Sequence, residues 1–506
     1  MRLFYQYFTF INCLKFLVLA IPVLLITGSF LPDLFLSLSV LSFFSYLFLN
    51  KKLNYLNHKF FYFFLIFFLI LITSSIFSDY KKESLIKSLG YIRFGIFLFI
   101  VKYLVDKKIN FIQNLSFVLI AIFIVLFLDA IFQKIIGYNI LGIKPPFGRI
   151  TSLFGDDIKL GGYISRFTPL LIAILFYLKF SQKFITTILF GSLFITILSG
   201  ERTSILMIIL FITGYIFFMN ISLKKKLIIS CIPLFMIFSS YYNSTIKFRI
   251  FDTTFNQFNL TKKIPFFKNL SIDGRQVVIH QDNTIIPRIY QMYIETSVKI
   301  FEDNKLIGSG PGTYKFKSKE ERYFTISDHE GWVNFVKEHN QKKMIELKKI
   351  HEQQISKIVN TEKYKALKQN INLIQNKEYI SWLKDNNLEH IYFNERIKNK
   401  EWLSGHILNE KYEGFTDISG VNSHPHNFYI QLLSETGLLG TLLVFLIWVS
   451  SLIRILKKTD NYYRFILIGF SINLFPFFIN GNFFSGWLSI LLFYPLGFLM
   501  KQDKNQ

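Results

Sequence analysis

Cysteine is close to absent. The 506 residues hold two, Cys13 and Cys231, both inside apolar runs, which excludes a disulfide framework and a cysteine-based metal site. Histidine spacing offers no metal site either. His424-Pro425-His426 supplies two ligands where zinc needs three or four, and His329, His339, His351, His390 and His406 are scattered as solvated surface residues. The glycine-rich stretch Gly308-Ser309-Gly310-Pro311-Gly312-Thr313-Tyr314 lacks the Lys-Ser/Thr of a P-loop and follows no strand, against nucleotide binding. No small-residue cleavage site follows the first apolar run, against a removable signal peptide. Acidic residues are outnumbered, 33 against 57 basic ones, for a net charge of +24. Such a balance can mark a nucleic-acid binder, but Lys and Arg also gather where membrane proteins face the cytoplasm and where they meet anionic lipid or phosphate. A nucleic-acid partner is therefore not expected.

Apolar residues are what the chain has in excess: 51% hydrophobic, 18% aromatic, mean hydropathy +0.37. This predicts an all-α, polytopic integral membrane protein whose main partner is the lipid bilayer. A span needs about 20 apolar residues. Runs of that kind lie near 9–27, 31–49, 60–77, 88–105, 111–136, 163–179, 184–199, 203–219, 226–241, 436–455, 463–480 and 484–500, giving about twelve spans. With the N-terminus in the cytoplasm, the inner loops carry Lys51, Lys52, Lys107, Lys108, Lys179, Lys183, Lys224 to Lys226, Arg454, Lys457 and Lys458, as the positive-inside rule requires. Lys81, Lys82 and Lys87 fall on the outer side and depart from it. The expected organisation is spans 1–9 over residues 1–241, a large periplasmic loop over 242–435, and spans 10–12 with a short tail over 436–506. Within the loop, 316–412 is rich in Lys, Glu, Gln and Asn with apolar residues at helical spacing, and reads as a solvated helical insertion.

This topology puts four polar features on one face: the loop 137–162, the turn Ser199-Gly200-Glu201-Arg202-Thr203, the segment 242–435 and the turn at Asn480-Gly481-Asn482. Arg202 is either a snorkelling anchor or a guanidinium held at the interface for phosphate or carboxylate. In the loop, Arg149 precedes Asp156-Asp157, a pair suited to capping and turn chemistry or to holding a cation. It leads into a span that carries Arg166. Asp129 is expected at the hydrated interface. Arg288 opens an apolar-periodic run, and Arg275 is a second candidate upstream.

The most concentrated chemistry stands where the long polar segment meets an apolar run, at Ser423-His424-Pro425-His426-Asn427 through Glu435-Thr436-Gly437. Pro425 suits the first turn of a helix, which would place the histidines at a helix N-terminus where an anion is favoured. Two residues apart on a helix, they would point away from each other, so one of the two would face the site. A neutral imidazole is suited to take a proton from a hydroxyl at neutral pH.

Together these motifs resemble the O-antigen ligase and polymerase family of bacterial membrane glycosyltransferases. Ser423 to Gly440 is similar to that family's His-x-His-Asn…Glu-x-Gly signature, Ser199 to Thr203 to its Ser-x-x-Arg turn, and Gly308 to Tyr314 to its Gly-x-Gly-Pro-Gly segment. Arg288, about a helix upstream, is similar to the Arg that opens that helix, and Phe154 to Tyr163 to the stretch that begins the following span. The charged insertion departs from the family's shorter connection. The resemblance implies a metal-independent transferase of the inner membrane that needs no cofactor and works at the periplasmic face. Its donor would be a glycan on undecaprenyl diphosphate and its acceptor a sugar hydroxyl, on lipid A-core for a ligase or on a growing glycan for a polymerase. By the same resemblance His426, with His424 beside it, is the general base, and Arg202 and Arg288, or Arg275, bind the diphosphate. Asn427, Glu435, Arg149, Asp156 and Asp157 would support them. A flippase would instead call for charges deep inside spans and inverted repeats.

Overall fold

The computed structural model describes residues 10–107, 110–242, 246–252, 288–323 and 422–500. Arg275, the insertion from residue 324 onward and its five histidines lie outside them.

Every regular element among the described residues is helical, and each apolar run of the sequence falls on a helix. These are α1 (Phe10–Leu24), α2 (Phe30–Leu49), α3 (Lys59–Ile76), α4 (Lys81–Asp106), α5 (Phe111–Ile136), α6 (Leu160–Tyr177), α7 (Gln182–Ser199), α8 (Arg202–Phe218) and α9 (Leu223–Ser239). After α10 (Arg288–Asp303) come α11 (Phe428–Lys457), α12 (Asn461–Asn473) and α13 (Gly486–Leu499). Seven of them, α2 to α7 and α11, are long and apolar enough to cross a membrane, and α1, α8 and α13 are shorter apolar helices. The two that fall short of the sequence expectation do so for visible reasons. Helix α9 gives its first turn to Lys224, Lys225 and Lys226, and α12 stops at Asn473, before the turn through Pro476. Two others start earlier than hydropathy suggests. In α4 the added residues include the buried Ser84, and in α11 they are the polar residues described below.

The chain divides into two compact units, one of Met1–Pro287, Phe301–Thr313 and His424–Gln506, the other of Arg288–Ile300 and Tyr314–Ser423. The first is built around α6, which is buried without interruption from Leu160 to Leu175 and packs against α5, α7, α8, α12 and α13. A helix apolar on all sides belongs inside. Close approach is set by small residues, as expected where helices associate in lipid. A Cβ on Gly469 of α12 would lie 2.4 Å from the Pro169 Cβ of α6. The outward faces carry exposed apolar side chains, such as Leu41 and Phe48 on α2 and Leu128 on α5, a surface suited to hydrocarbon rather than water.

In the second unit, Ile300, Tyr314 and Tyr323 form a small core. Thr296 Oγ1 donates to the Tyr323 carbonyl at 3.2 Å and Asn422 Nδ2 to the Tyr293 hydroxyl at 2.7 Å. The guanidinium of Arg322 lies 4.6 Å from the centre of the Tyr323 ring.

Polar side chains collect near both ends of α4 in the first unit. At its C-terminal end, Lys102, 5% exposed, pairs with Asp106 one turn on. The Tyr55 hydroxyl donates to Asp106 Oδ2 at 3.0 Å, and the Tyr103 and Tyr46 hydroxyls are 3.3 Å apart. At its N-terminal end, Ser84 and Ser88 share hydrogen bonds of 2.8 and 2.7 Å with Ser75 of α3. Eighteen residues of helix, about 27 Å, separate Ser84 from Lys102.

Candidate functional site

The site is assembled at the start of α11. Asn427 caps that helix, its Oδ1 accepting from Tyr429 N at 2.9 Å and Ile430 N at 3.0 Å. Its Nδ2 donates to the Pro476 and Phe478 carbonyls at 2.6 and 3.2 Å. The helix therefore begins at Phe428, and Pro425 lies ahead of it rather than in its first turn. The four hydrogen bonds of Asn427 are what move the boundary. His426 adopts a left-handed backbone, φ +57°, a conformation that costs a β-carbon-bearing residue about 1–2 kcal/mol. Its carbonyl accepts from Asn480 N at 2.8 Å, which holds the turn. The reversal brings the His424 and His426 rings together, centroids 4.2 Å apart at 46°. Helical spacing had them diverge; a left-handed residue between cap and proline overrides that spacing. Both rings are half-buried. Burial, reinforced by the neighbouring His426, pushes the His424 imidazole down to about 3, and burial pushes His426 below the ordinary value as well. Burial disfavours the charged form, so neither ring carries a proton at neutral pH.

A buried charged network lies next to this turn. Arg166, 9% exposed on α6, donates through Nη1 to the Gly162 carbonyl at 3.0 Å and through Nη2 to Asn480 Oδ1 at 3.1 Å. Glu201, the residue before α8, accepts from Gly161 N at 2.8 Å, Gly162 N at 3.0 Å and Ser204 Oγ at 3.0 Å. The first N–H groups of any helix lack intrahelical partners and lie at its positive end. Here the carboxylate of Glu201 satisfies those of α6, so the helix N-terminus that holds an anion is that of α6, and the anion is a side chain of the protein. Arg202 follows as the first residue of α8, half-buried. Sequence reasoning named Arg166, Glu201 and Asn480 only as members of a span and two turns and gave none of them a role. The usable signal was an arginine within an apolar span, which by default marks a functional site.

Glu435, 1% exposed, sits two turns into α11. Its Oε2 accepts from Gly312 N at 3.0 Å and from Gln431 Nε2 at 3.1 Å. Gln431 also donates to Asn482 Oδ1 at 2.9 Å and accepts from Phe483 N at 2.8 Å. Helix α11 is broken at Gly437, φ +63° and ψ −161°, and a second backbone crosses it there. Ser309 N and Gly310 N donate to the Ser434 and Glu435 carbonyls at 2.9 and 2.8 Å, and Leu438 N to the Lys305 carbonyl at 2.8 Å. A Cβ on Gly308 would lie 2.4 Å from the backbone of Glu435, Thr436 and Gly437. Gly308 thus admits the chain's own backbone, while a Cβ on Gly310 would meet the Ser84 and Ser78 side chains and one on Gly312 that of Lys87. Ser74 Oγ donates to the Glu435 carbonyl at 2.9 Å and Ser78 Oγ to the Ser309 carbonyl at 2.5 Å, tying the α3–α4 turn into the same crossing.

The remaining residues named from sequence lie on other segments of the chain. Asp156 and Asp157 are exposed, and Asp157 pairs with Lys159 at 2.5 Å in turn chemistry. Arg149 is half-buried beside a short 3-10 turn, Pro146–Gly148. Asp129, expected at a hydrated interface, is buried at 5% exposure and binds its own loop, accepting from Ile140 N at 2.8 Å and Ser152 Oγ at 2.6 Å. Arg288 opens α10 in the second unit. Among the described residues no three His, Cys, Asp or Glu are grouped to hold a metal ion. Below the site, an apolar cavity of about 260 Å³ opens between α3, α4, α11, α12 and α13, walled by Phe67, Leu98, Phe470, Phe493 and the same Phe483 whose N–H Gln431 holds. No protein-family model matches the chain, and no curated protein matches it in sequence.

Proposed function

We propose that this protein transfers a glycan from undecaprenyl diphosphate to a sugar hydroxyl at the periplasmic face of the inner membrane, as an O-antigen ligase acting on lipid A-core. The observation that carries the reading is the His424–His426 pair, ring against ring in a polar junction at the end of an apolar helical bundle. The order of motifs along the chain supports it, in the absence of any family match. A diphosphate is a good leaving group, so the protein has to neutralise developing charge and activate a poor nucleophile. A neutral His426 accepts the hydroxyl proton, a role typically worth 10²–10⁴-fold in rate. His424, also neutral, leaves no competing positive charge beside it. Arg202 supplies a guanidinium for the diphosphate in a partly dry interface, where such a contact counts for more than in water. The apolar cavity, tied through Phe483 and Gln431 to the junction, suits a substrate with a hydrocarbon tail and a polar head.

The test is a deletion strain complemented with wild type or His426→Ala, with core-linked and undecaprenyl-linked glycans measured separately. Loss of all core-linked chains with long glycans accumulating on the carrier is the ligase result. A single repeat surviving on the core makes the protein the related polymerase, and a normal profile from the variant removes His426 from the mechanism.

A further inference from the structure

Asn480 carries a polar atom that nothing above uses. The residue is 4% exposed. Its Oδ1 accepts from Arg166 at 3.1 Å, and because a guanidinium only donates, this contact fixes which end of the amide is oxygen. The Nδ2 left on the other side is buried with no hydrogen-bond partner. Asn427, in the same junction, uses both ends of its amide. Buried donors are nearly always satisfied, and a buried donor left over asks what satisfies it. This one is on the residue whose backbone N–H holds the His426 carbonyl at 2.8 Å, so it is fixed with respect to the histidine turn.

We propose that Asn480 contacts the ligand, its Nδ2 donating to a phosphoryl oxygen of a lipid-linked diphosphate while Arg166, behind it, orients the amide. The inference rests on the substrate class proposed above. A phosphoryl oxygen is an acceptor only, which matches a pure donor. Arg166 need not touch the ligand. Its charge lies on the oxygen end of the amide, which polarises the N–H bonds at the other end. Asn480 is then a binding residue and Arg166 a positioning one.

The test uses the full-length protein in lipid nanodiscs and two probes, undecaprenyl diphosphate and undecaprenol, so that the preference for the diphosphate is read apart from general damage. Asn480→Asp keeps an oxygen facing Arg166 and removes the donor; Asn480→Leu removes both at similar volume. The expected result is a fall of about 10- to 100-fold in diphosphate preference for both variants, with undecaprenol binding unchanged. An unchanged preference in either folded variant overturns the proposal and leaves Asn480 a brace for Arg166. If the wild type itself shows no preference for the diphosphate, the substrate class falls and this inference falls with it.

Discussion

The Lys102–Asp106 pair at the end of α4 and the Arg166 network beside the histidine turn bury charge in different ways. Lys102 and Asp106 are one helical turn apart and close their ion pair within a single element, with Tyr55 completing it. The other cluster draws on distant parts of the chain: Arg166 reaches Asn480 and the carboxylate of Glu201 reaches Gly161, while Asn480 N reaches His426. A pair made within one turn needs no fold to exist. A network that exists only when four segments meet makes the geometry of the junction depend on the whole bundle. The first neutralises charge locally; the second is the kind of preorganisation that the proposed function would require.

Substitutions can break this contrast. His426→Ala is expected to lower glycan transfer by about 10²–10⁴-fold in an assay with purified protein, while Lys102→Met leaves the rate unchanged. Equal losses would mean that the clusters do not differ in kind. Gly308→Ala drives a β-carbon to 2.4 Å from three backbone atoms at φ +72°. A loss of about 2–5 kcal/mol in stability follows from strain and overpacking, read as the folded fraction surviving heat in detergent. Arg166→Met strips Asn480 Oδ1 of its donor and takes one of two side-chain donors from the Gly162 carbonyl, at a cost of about 1–3 kcal/mol by the same assay. The double replacement Lys102→Met with Asp106→Leu should cost about 0–1 kcal/mol, since an apolar pair replaces an ion pair outright. Thermal midpoints of that variant and of Arg166→Met, measured side by side, test the ordering.

The histidines give a pH test of the same contrast. The folded His424 titrates near 3 against 6.5 for the free side chain, so below 6.5 the unfolded chain takes a proton that the folded protein refuses. Stability from this group is complete above about pH 6.5 and is lost as pH falls from there toward 3. A melting series in that window should show a decline that His424→Gln flattens. Transfer that depends on a neutral His426 should persist to lower pH than an ordinary imidazole would allow. A rate that halves at 6.5 would place an unperturbed group in control.

Hydropathy made the helices legible, because each run needed only its own residues to define it. The start of α11 was not. Asn427 reaches across to Pro476 and Phe478, and no pattern within Ser423–Gly440 announces those partners. The histidines were legible as chemistry, but not their meeting, which turns on the left-handed backbone of one residue. Arg166 was visible as an anomaly in an apolar run, whereas the fact that its partner lies 314 positions away is a property of the fold. The glycines of 308–312 were legible as a close approach, and the backbone that meets Gly308 was not.

The crossing at Gly308 and Gly437 also bears on how this protein can change. Hydrogen bonds between residues 305–310 and 434–439 staple the chain on both sides of the long stretch that leaves at Thr313 and returns at His424. Closing a longer loop is cheap, about 0.6 kcal/mol for each doubling of its length. With its two anchors fastened to each other, that stretch can lengthen or shorten while the histidine junction keeps its shape, so this is where the protein can acquire variety without rebuilding its core.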